Sequence, residues 1–154
     1  MNRKFLGDSY DCVKASVIRW LGNDTGTWGL VPMVGPREAP DAKEWEPSDF
    51  TLYAKLLGGR LVDGAERLPT EFRDRAAWFP DVGKKIAAAG CRCVFLDPDT
   101  GFWPDEPGSR VCSPTWHQWL YPSEIKSIQQ SETDLIGVFD QSFARAGVRP
   151  DLLR

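Results

Sequence analysis

Carboxylates that follow apolar segments are the side chains of this sequence best suited to chemistry. Three separate apolar segments each end in acid, and the acids are Asp8, Asp97, Asp99 and Asp140. Ligands of open parallel sheets bind outside the carboxyl ends of the strands, where we expect these side chains to gather. Mg²⁺ and Mn²⁺ prefer carboxylate oxygens and need few protein ligands. A metal-bound water at this edge would attack a phosphoryl group, so the pattern predicts a metal-dependent hydrolase.

The acids and their neighbours divide into metal ligands and substrate contacts. Asp97, Asp99 and Asp8 are the predicted ligands of Mg²⁺ or Mn²⁺, and Asp140 completes the predicted catalytic set. The side chains predicted to bind substrate lie beside them in the sequence: Tyr10, Gln141, Ser142 and Trp103. The predicted substrate is a nucleotide or a nucleic-acid phosphodiester. The sequence is therefore interpreted as a phosphodiesterase or nuclease-like protein.

Each acid also has an ordinary structural role. Asp8 is placed to cap the start of a helix, and this role is compatible with a second one. Asp97 and Asp99 fit an acidic turn around Pro98, and Asp140 fits a strand-end cap. Carboxylates at close range raise one another's pKa unless a cation lies between them, so convergence of the acids predicts a bound cation.

Length, charge and hydropathy limit the class of protein. The chain has 154 residues, 42% of them hydrophobic, which predicts a single domain over residues 1–154 with a real core. Its net charge of -3 gives no general basic surface for coating nucleic acid. No apolar run approaches the roughly 20 residues of a membrane helix, and no secretory signal is evident. We therefore expect a cytoplasmic protein with no membrane partner.

Strand-like and helix-like segments alternate along the chain. The predicted strands are residues 4–7, 28–33, 60–62, 92–96 and 135–139, and the predicted helices cover 8–21, 48–57, 70–77, 82–89 and a segment from 122. This alternation predicts an α/β fold, with a mostly parallel, Rossmann-like sheet and helices on both faces.

Two local features lead to sharper predictions about the helices. Val13, Val17, Trp20 and Leu21 recur at helical spacing, so we expect them to face the core. Pro80 lies between two helical segments and is predicted to separate them, because proline lacks a backbone donor.

A tryptophan-rich segment supports a different function. Trp103, Trp116 and Trp119 lie in or just after a long proline-rich loop. Such residues seal a core, form a partner-binding hot spot or stack on bases. The alternative to the enzyme is a noncatalytic protein-binding module, related to phage or to defence, that uses residues 102–121.

Several known chemistries lack their residues in this sequence. There is no phosphate-binding GxxxxGK[ST] loop and no GxGxxG after the first strand. His117 is the single histidine, so an imidazole base is not expected. A methyltransferase-like fold also carries Asp-Pro after a central strand, as Asp97-Pro98 does, but the glycine loop of that class is missing.

Three motifs together resemble a family of uncharacterised bacterial and phage proteins. They are the initial FLGDSYD, the central FLDPDTG and the late VFDQS, and the resemblance spans most of the chain. The acids at family-like positions are Asp8, Asp11, Asp97, Asp99 and Asp140. No activity is established for the family, so the resemblance implies a shared pattern of acids. Similar proteins continue beyond the last motif, so the chain is expected to be either a shortened member or a domain cut from a longer product.

Overall fold

The computed structural model describes residues 3, 6–22, 27–35, 44–69, 72–98, 101–103, 119–129 and 133–140. The helices are α1 (Ser9–Gly22), α2 (Pro47–Leu57), α3 (Phe72–Ala88) and α4 (Pro122–Gln129). The strands are β1 (Trp28–Val31), β2 (Arg60–Leu61), β3 (Cys93–Leu96), β4 (Gly101–Phe102), β5 (Trp119–Leu120) and β6 (Leu135–Val138). None of the described helices is long and apolar enough to span a membrane.

A four-stranded sheet forms the centre of the fold. Its strand order is β2-β1-β3-β6, and every neighbouring pair is parallel. β4 and β5 form a separate two-stranded parallel ladder. The predicted α/β class and the mostly parallel sheet are confirmed.

Alternate residues of the strands belong to two different apolar clusters. Val31, Val94 and Leu96 pack with Phe79 and Ile128, which belong to α3 and α4. The intervening strand residues pack with α1 and α2, in a cluster that includes Trp28, Leu30, Cys93, Phe95, Ile18 and Leu57. Successive strand side chains point to opposite faces, so each strand contributes to both clusters. β1 and β3 are buried throughout, as expected for central strands of a parallel sheet.

Local signals set the ends of α2. Glu46 and Asp49 form a reciprocal capping box, and Pro47 follows at the first helical position, where its missing N–H costs nothing. Gly58 ends the helix with φ of 73° and donates its N–H to the carbonyl of Ala54. The predicted end of this helix is correct, and its start lies one residue earlier than predicted.

Two predicted elements differ from the structure. Leu6 and Gly7 form a turn before α1, so Asp8 follows a turn and not a strand; residues 4 and 5 lie outside the described residues. α3 runs without interruption through Pro80. Proline removes the bond to the carbonyl four residues earlier, and here both Pro80 and Ala76 are exposed, so that carbonyl does not need a partner inside the protein.

Of the four α1 residues predicted to face the core, Leu21 is half-buried and packs against the apolar cluster of α1 and α2, whereas the other three face outward. Val13, Val17 and Trp20 are 53%, 43% and 76% exposed, whereas Lys14 and Ile18 are 2% exposed. The apolar residues do recur at helical spacing, but the stripe they form faces away from the sheet. The inward face carries polar contacts described in the next subsection.

Arg75 joins α3 to the segment around β5 and α4. Its side chain is 1% exposed and binds Glu124 through two nitrogens, one of them at 2.9 Å from Oε2. It also donates to the carbonyl of Trp119. A bidentate, buried guanidinium of this kind fixes both partners geometrically, so the start of α4 is held firmly on α3.

We expect Gly59→Ala and Leu30→Ala to compensate partly for each other. A Cβ at position 59 would lie 2.7 Å from Cγ of Leu30, so the alanine destabilises the fold by about 1–3 kcal/mol through overpacking. Leu30→Ala alone should cost about 2–5 kcal/mol by leaving a cavity. The double variant should lose less than the sum in urea unfolding, because the new methyl enters the vacated space. If the losses of unfolding free energy in the two single variants simply add in the double variant, the close packing of Gly59 on Leu30 is contradicted.

Candidate functional site

Asp97 lies at the carboxyl end of β3, directly beside the end of β1. Its backbone N–H donates to the carbonyl of Val31 at 3.0 Å. Strand alternation continues through Leu96, so the Asp97 side chain projects to the α1–α2 face, on the same side as Phe95. The residue is only 1% exposed. The sequence therefore delivers a carboxylate to the sheet edge, as predicted, but to a buried position.

Lys14 of α1 reaches this carboxylate with its ammonium group. Nζ lies 2.8 Å from Oδ2 of Asp97 and 3.1 Å from Oδ1 of Asp11. The side chains of Lys14, Asp11 and Asp97 are 2%, 3% and 1% exposed. An ammonium removed from water is stable only when its donors are satisfied by acceptors such as these. The three side chains are called the Lys14 cluster below.

Tyr53 of α2 adds a neutral donor to the same carboxylate. Its hydroxyl lies 3.0 Å from Oδ2 of Asp97, and the residue is fully buried. Its ring packs edge-on against Trp45 at a centroid distance of 6.0 Å. The apolar packing fixes the ring, so the hydroxyl is held in place for Asp97.

The first turn of α1 positions the other carboxylate of the cluster. Oδ1 of Asp8 accepts the N–H groups of Tyr10 at 2.9 Å and of Asp11 at 3.2 Å, which is a helix cap. Oδ2 of Asp11 accepts the N–H of Gly7 at 2.7 Å. Gly7 has φ of 84°, which suits glycine in the turn before the helix. The capping role expected of Asp8 is present.

The end of β6 closes the cluster from a third direction. Phe139 donates its N–H to the carbonyl of Leu96, and its ring centroid lies 4.6 Å from Nζ of Lys14. The same ring contacts Tyr10 edge-on at 5.9 Å. Asp140 follows, half-buried. Segments ending in Asp8, Asp97 and Asp140 thus converge around one lysine.

Burial and charge change the acidity of the cluster. Burial alone would lower the pKa of Lys14, but the carboxylates of Asp97 and Asp11 outweigh it and raise that pKa. Burial raises the pKa of Asp97, against the opposing effect of the ammonium. Burial and then the charge of Asp97 raise the pKa of Tyr53 well above its ordinary value. The negative charge of the carboxylates therefore favours the protonated forms of Lys14 and Tyr53.

The remaining predicted site residues are placed as follows. Tyr10 is 43% exposed at the start of α1. Trp103 and Trp119 are half-buried and pack against each other edge-on at 4.8 Å, one beside β4 and the other in β5. Asp99, Gln141, Ser142 and Trp116 lie outside the described residues. Of the predicted partner-binding segment, residues 102–121, the structure therefore describes only the two ends.

The described residues do not by themselves form a metal centre. Within the described ranges, no three His, Cys, Asp or Glu side chains form a group suited to a metal ion. Asp97 and Asp11 already share the ammonium of Lys14, which occupies the position between the two carboxylates. The described residues therefore do not fit Mg²⁺ or Mn²⁺ on Asp97, and ligation involving Asp99 stays a prediction.

Two residues of the site were not singled out from the sequence. Lys14 has a weak signal: it follows Asp11 by three residues and so lies on the same helix face. Tyr53 has none, because it is one of two aromatic residues in α2 and its partner lies 44 residues away. Asp11 was identified only as a family-like acid.

Comparisons with protein-family models, with curated proteins and with solved structures find no match. The resemblance to a bacterial and phage family therefore stays a prediction. Function is inferred below from the chemistry and topology of the site.

Lys14→Ala should destabilise the protein by about 3–5 kcal/mol, because it leaves two buried carboxylates without their cation. The measurement is the free energy of unfolding in urea. Lys85→Ala is the matched control, since the Lys85–Asp81 pair lies on the surface of α3 and should contribute far less. Equal losses in the two variants would show that the Lys14 cluster is hydrated in solution.

Stability should fall as pH rises above about 10. The ordinary pKa values are 10.5 for Lys14 and 10.0 for Tyr53, and both are raised in the folded state. The folded protein therefore holds protons that the unfolded chain releases, and the stabilisation present below pH 10 is lost as pH rises through the raised values.

The measurement is urea unfolding at a series of alkaline pH values. Tyr53→Phe removes one titrating group and should reduce the slope of stability against pH. An unchanged slope in Tyr53→Phe would contradict a raised pKa of Tyr53 in the folded protein.

Proposed function

We propose that the protein is an enzyme acting on a nucleotide or a nucleic-acid phosphodiester, which binds at the carboxyl edge of the sheet between β1 and β3. The observation that carries the proposal is the position of Asp97 at this edge, held by Lys14 from α1 and Tyr53 from α2. A buried, fully hydrogen-bonded set of ionisable groups at the ligand-binding edge of an α/β sheet is typical of a functional site.

The topology supports this location. Counted along the chain, the four described strands of the sheet stand in the order 2-1-3-4, which is the beginning of the flavodoxin-like doubly wound order 2-1-3-4-5. We infer that the sheet is doubly wound, because α1 and α2 share one apolar cluster with alternate strand residues and α3 and α4 share the other. In such sheets the ligand crevice lies where the strand order reverses, which here is between β1 and β3.

The backbone beside Asp97 supports a role beyond packing. Met33, just after β1, is fully buried and has φ of 49°, a left-handed conformation that costs a non-glycine residue about 1–3 kcal/mol. Strain of this kind persists where the surrounding structure fixes the backbone, often at ligand sites. A strained segment next to a buried carboxylate fits a binding crevice.

The energetics of the Lys14 cluster also favour a functional site at this edge of the sheet. Apolar side chains of similar volume often stabilise a fold as well as a buried ion pair does or better. Stability alone therefore gives little reason to place an ammonium between two buried carboxylates. We interpret the cluster as a means of holding Asp97 in one orientation at the substrate edge.

The proposed reaction is hydrolysis of a phosphate ester. In this proposal the chain's own groups bind and orient the substrate, with Asp97 held at the edge and Tyr10 near the end of β6, where its ring contacts Phe139. No step is assigned to Mg²⁺ or Mn²⁺, because the two buried carboxylates of the cluster already contact the ammonium of Lys14. Metal dependence remains a separate prediction with its own test.

An acid that follows β2 favours a second candidate, a methyltransferase-like protein that binds a nucleoside cofactor. Asp63 directly follows Val62 after β2 and is exposed at the same sheet edge. A carboxylate after the second strand accepts ribose hydroxyls in dinucleotide-binding folds. Asp97-Pro98 after the neighbouring strand fits this class as well. The phosphodiester enzyme is preferred because the segment after β1 lacks the glycine loop of the cofactor-binding folds.

The noncatalytic alternative rests on the tryptophans. Trp103 and Trp119 are half-buried and pack against each other, and the carbonyl of Trp119 accepts from Arg75 of α3, so their described parts contribute to packing. A partner surface on residues 102–121 remains a proposal for the segment between them.

Calorimetric titration with AMP and ADP, each with and without Mn²⁺, tests the proposed function. We expect nucleotide binding, and a ligand at 100 times its Kd should add about 2.7 kcal/mol to stability. Asp97→Asn should weaken binding by about tenfold or more. The charge-assisted bond to Lys14 is lost, and the side chain at position 97 is no longer held in one orientation. Hydrolysis of bis(4-nitrophenyl) phosphate then measures the reaction.

Asp134→Asn is the control, because Asp134 precedes β6 and lies at the opposite, amino edge of the sheet. Its nucleotide affinity should match that of the unchanged chain. Binding of S-adenosylhomocysteine without nucleotide binding would favour the second candidate. Absence of heat with Mg²⁺ and Mn²⁺ would remove the metal prediction, and absence of binding by every nucleoside compound would overturn the proposal.

A further inference from the structure

We propose that Arg67 binds the phosphate group of the ligand at the carboxyl edge of the sheet. The inference rests on the proposed function and adds to it the residue that recognises phosphate. A phosphate ligand needs a cation that can reach it. Lys14 does not offer one, because its side chain is 2% exposed and its ammonium already contacts Asp11 and Asp97. Arg67, in contrast, is exposed.

Backbone pairing beyond the ends of β1 and β2 places Arg67 at this edge. Val34 donates its N–H to the carbonyl of Glu66 and accepts the N–H of Leu68, both at 2.9 Å. Arg67 therefore lies opposite Val34 in a parallel bridge. Asp97 follows the neighbouring strand β3 at the same edge. The two charged residues thus lie at the same end of the sheet, where α/β proteins bind their ligands.

The side chain of Arg67 extends over the face that carries α2, to which Asp97 also projects. Its guanidinium donates to the carbonyl of Trp45, and its Cζ lies 5.5 Å from the ring centroid of Phe50. The ring of Trp45 contacts the rings of Phe50 at 5.0 Å and Tyr53 at 6.0 Å. The hydroxyl of Tyr53 in turn donates to Asp97. A continuous set of aromatic contacts therefore connects the guanidinium with the buried carboxylate.

The guanidinium is held in place and keeps most of its donors. Arginine carries five N–H donors, and among the described residues the hydrogen-bond partner of Arg67 is the carbonyl of Trp45 alone. No described carboxylate forms an ion pair with it. Contact with the Phe50 ring restrains a side chain that has about 2 kcal/mol of rotamer entropy. A restrained, planar fork with free donors is suited to bidentate contact with phosphate oxygens.

Arg3 shows the difference between a structural arginine and Arg67. It also lies near the start of α2, but its Nε is 2.8 Å from Oδ2 of Asp49 and its Nη1 is 3.4 Å from Oε1 of Glu46. Its charge is therefore matched by the carboxylates of the capping box. The charge of Arg67 has no such match among the described residues, so it remains available to an anion.

Trp45, whose carbonyl holds Arg67, contributes a second unmet donor. The residue is 4% exposed, and its Nε1 has no acceptor within the part of the chain that the structure describes. A buried donor without a partner costs about 1–3 kcal/mol. Donors therefore exceed acceptors around Arg67, and the oxygens of a phosphate group are acceptors.

Calorimetric titration of the full chain with AMP and with adenosine, without added metal, tests the proposal. We expect the unchanged protein to bind AMP more tightly than adenosine. Arg67→Gln should weaken AMP binding by about tenfold or more, because a hydrogen-bonded charge pair is lost, and should leave adenosine binding unchanged. Arg67→Lys keeps the charge but not the planar fork, so its AMP affinity should be intermediate. Circular dichroism confirms that each variant is folded.

Arg60→Gln is the matched control. Arg60 is also exposed and also donates to a backbone carbonyl, that of Ala89, but it begins β2 and so lies at the opposite, amino edge of the sheet. Its loss changes the net charge by the same amount as Arg67→Gln. AMP affinity in Arg60→Gln should match that of the unchanged protein.

Inorganic pyrophosphate separates this inference from the proposed function, because it offers phosphate without a nucleoside. It should bind the unchanged protein and Arg60→Gln, and bind Arg67→Gln about tenfold more weakly or worse. This result would uphold the phosphate site even if no nucleoside compound binds. Equal AMP affinities in Arg67→Gln and Arg60→Gln would overturn the inference and leave the proposed function standing. Absence of binding by both AMP and pyrophosphate would also overturn it.

Discussion

The contact on which this structure depends is the ammonium of Lys14 between the carboxylates of Asp11 and Asp97. It joins a helix that precedes the first strand to the end of a central strand, across 83 residues of sequence. On its inner face α1 buries Ala15 and Ile18, and Leu21 packs partly buried against the same apolar cluster. The position of α1 therefore relies on the polar contact as well as on hydrophobic burial, whereas a surface helix usually relies on an apolar stripe alone.

The two faces of α1 have a common explanation. The inward face carries the groups that neutralise and orient Asp97, so it cannot also carry the apolar stripe. Among the described residues, Val13, Val17 and Trp20 remain exposed on the outer face. A helix with charge inside and valine and tryptophan outside is poorly explained by the stability of the isolated chain. It is well explained if the inner face serves a site.

What the sequence could and could not predict follows from the range of each interaction. β3 and β6 were located correctly because buried parallel strands are short apolar runs with sharp ends, and this signal is local. The position of Asp97 at the sheet edge followed from the same signal. The facing direction of α1 was predicted wrongly, because periodicity identifies a stripe but not the side on which the rest of the protein lies. Tyr53 could not be assigned, since its partner is fixed only by tertiary packing.

The Lys14 cluster also changes the roles that the acidic residues can have. The sequence suggested one group of carboxylates that share a divalent cation. The structure separates an inner pair, Asp11 and Asp97, from Asp8, which caps α1, and Asp140, which follows β6. The inner pair resolves its repulsion with a lysine carried by the chain itself. A covalently attached cation needs no ion from solution and holds its carboxylates in a single geometry. Chemistry at this edge therefore depends first on the position of Lys14, and any added ion has to be bound by the outer acids.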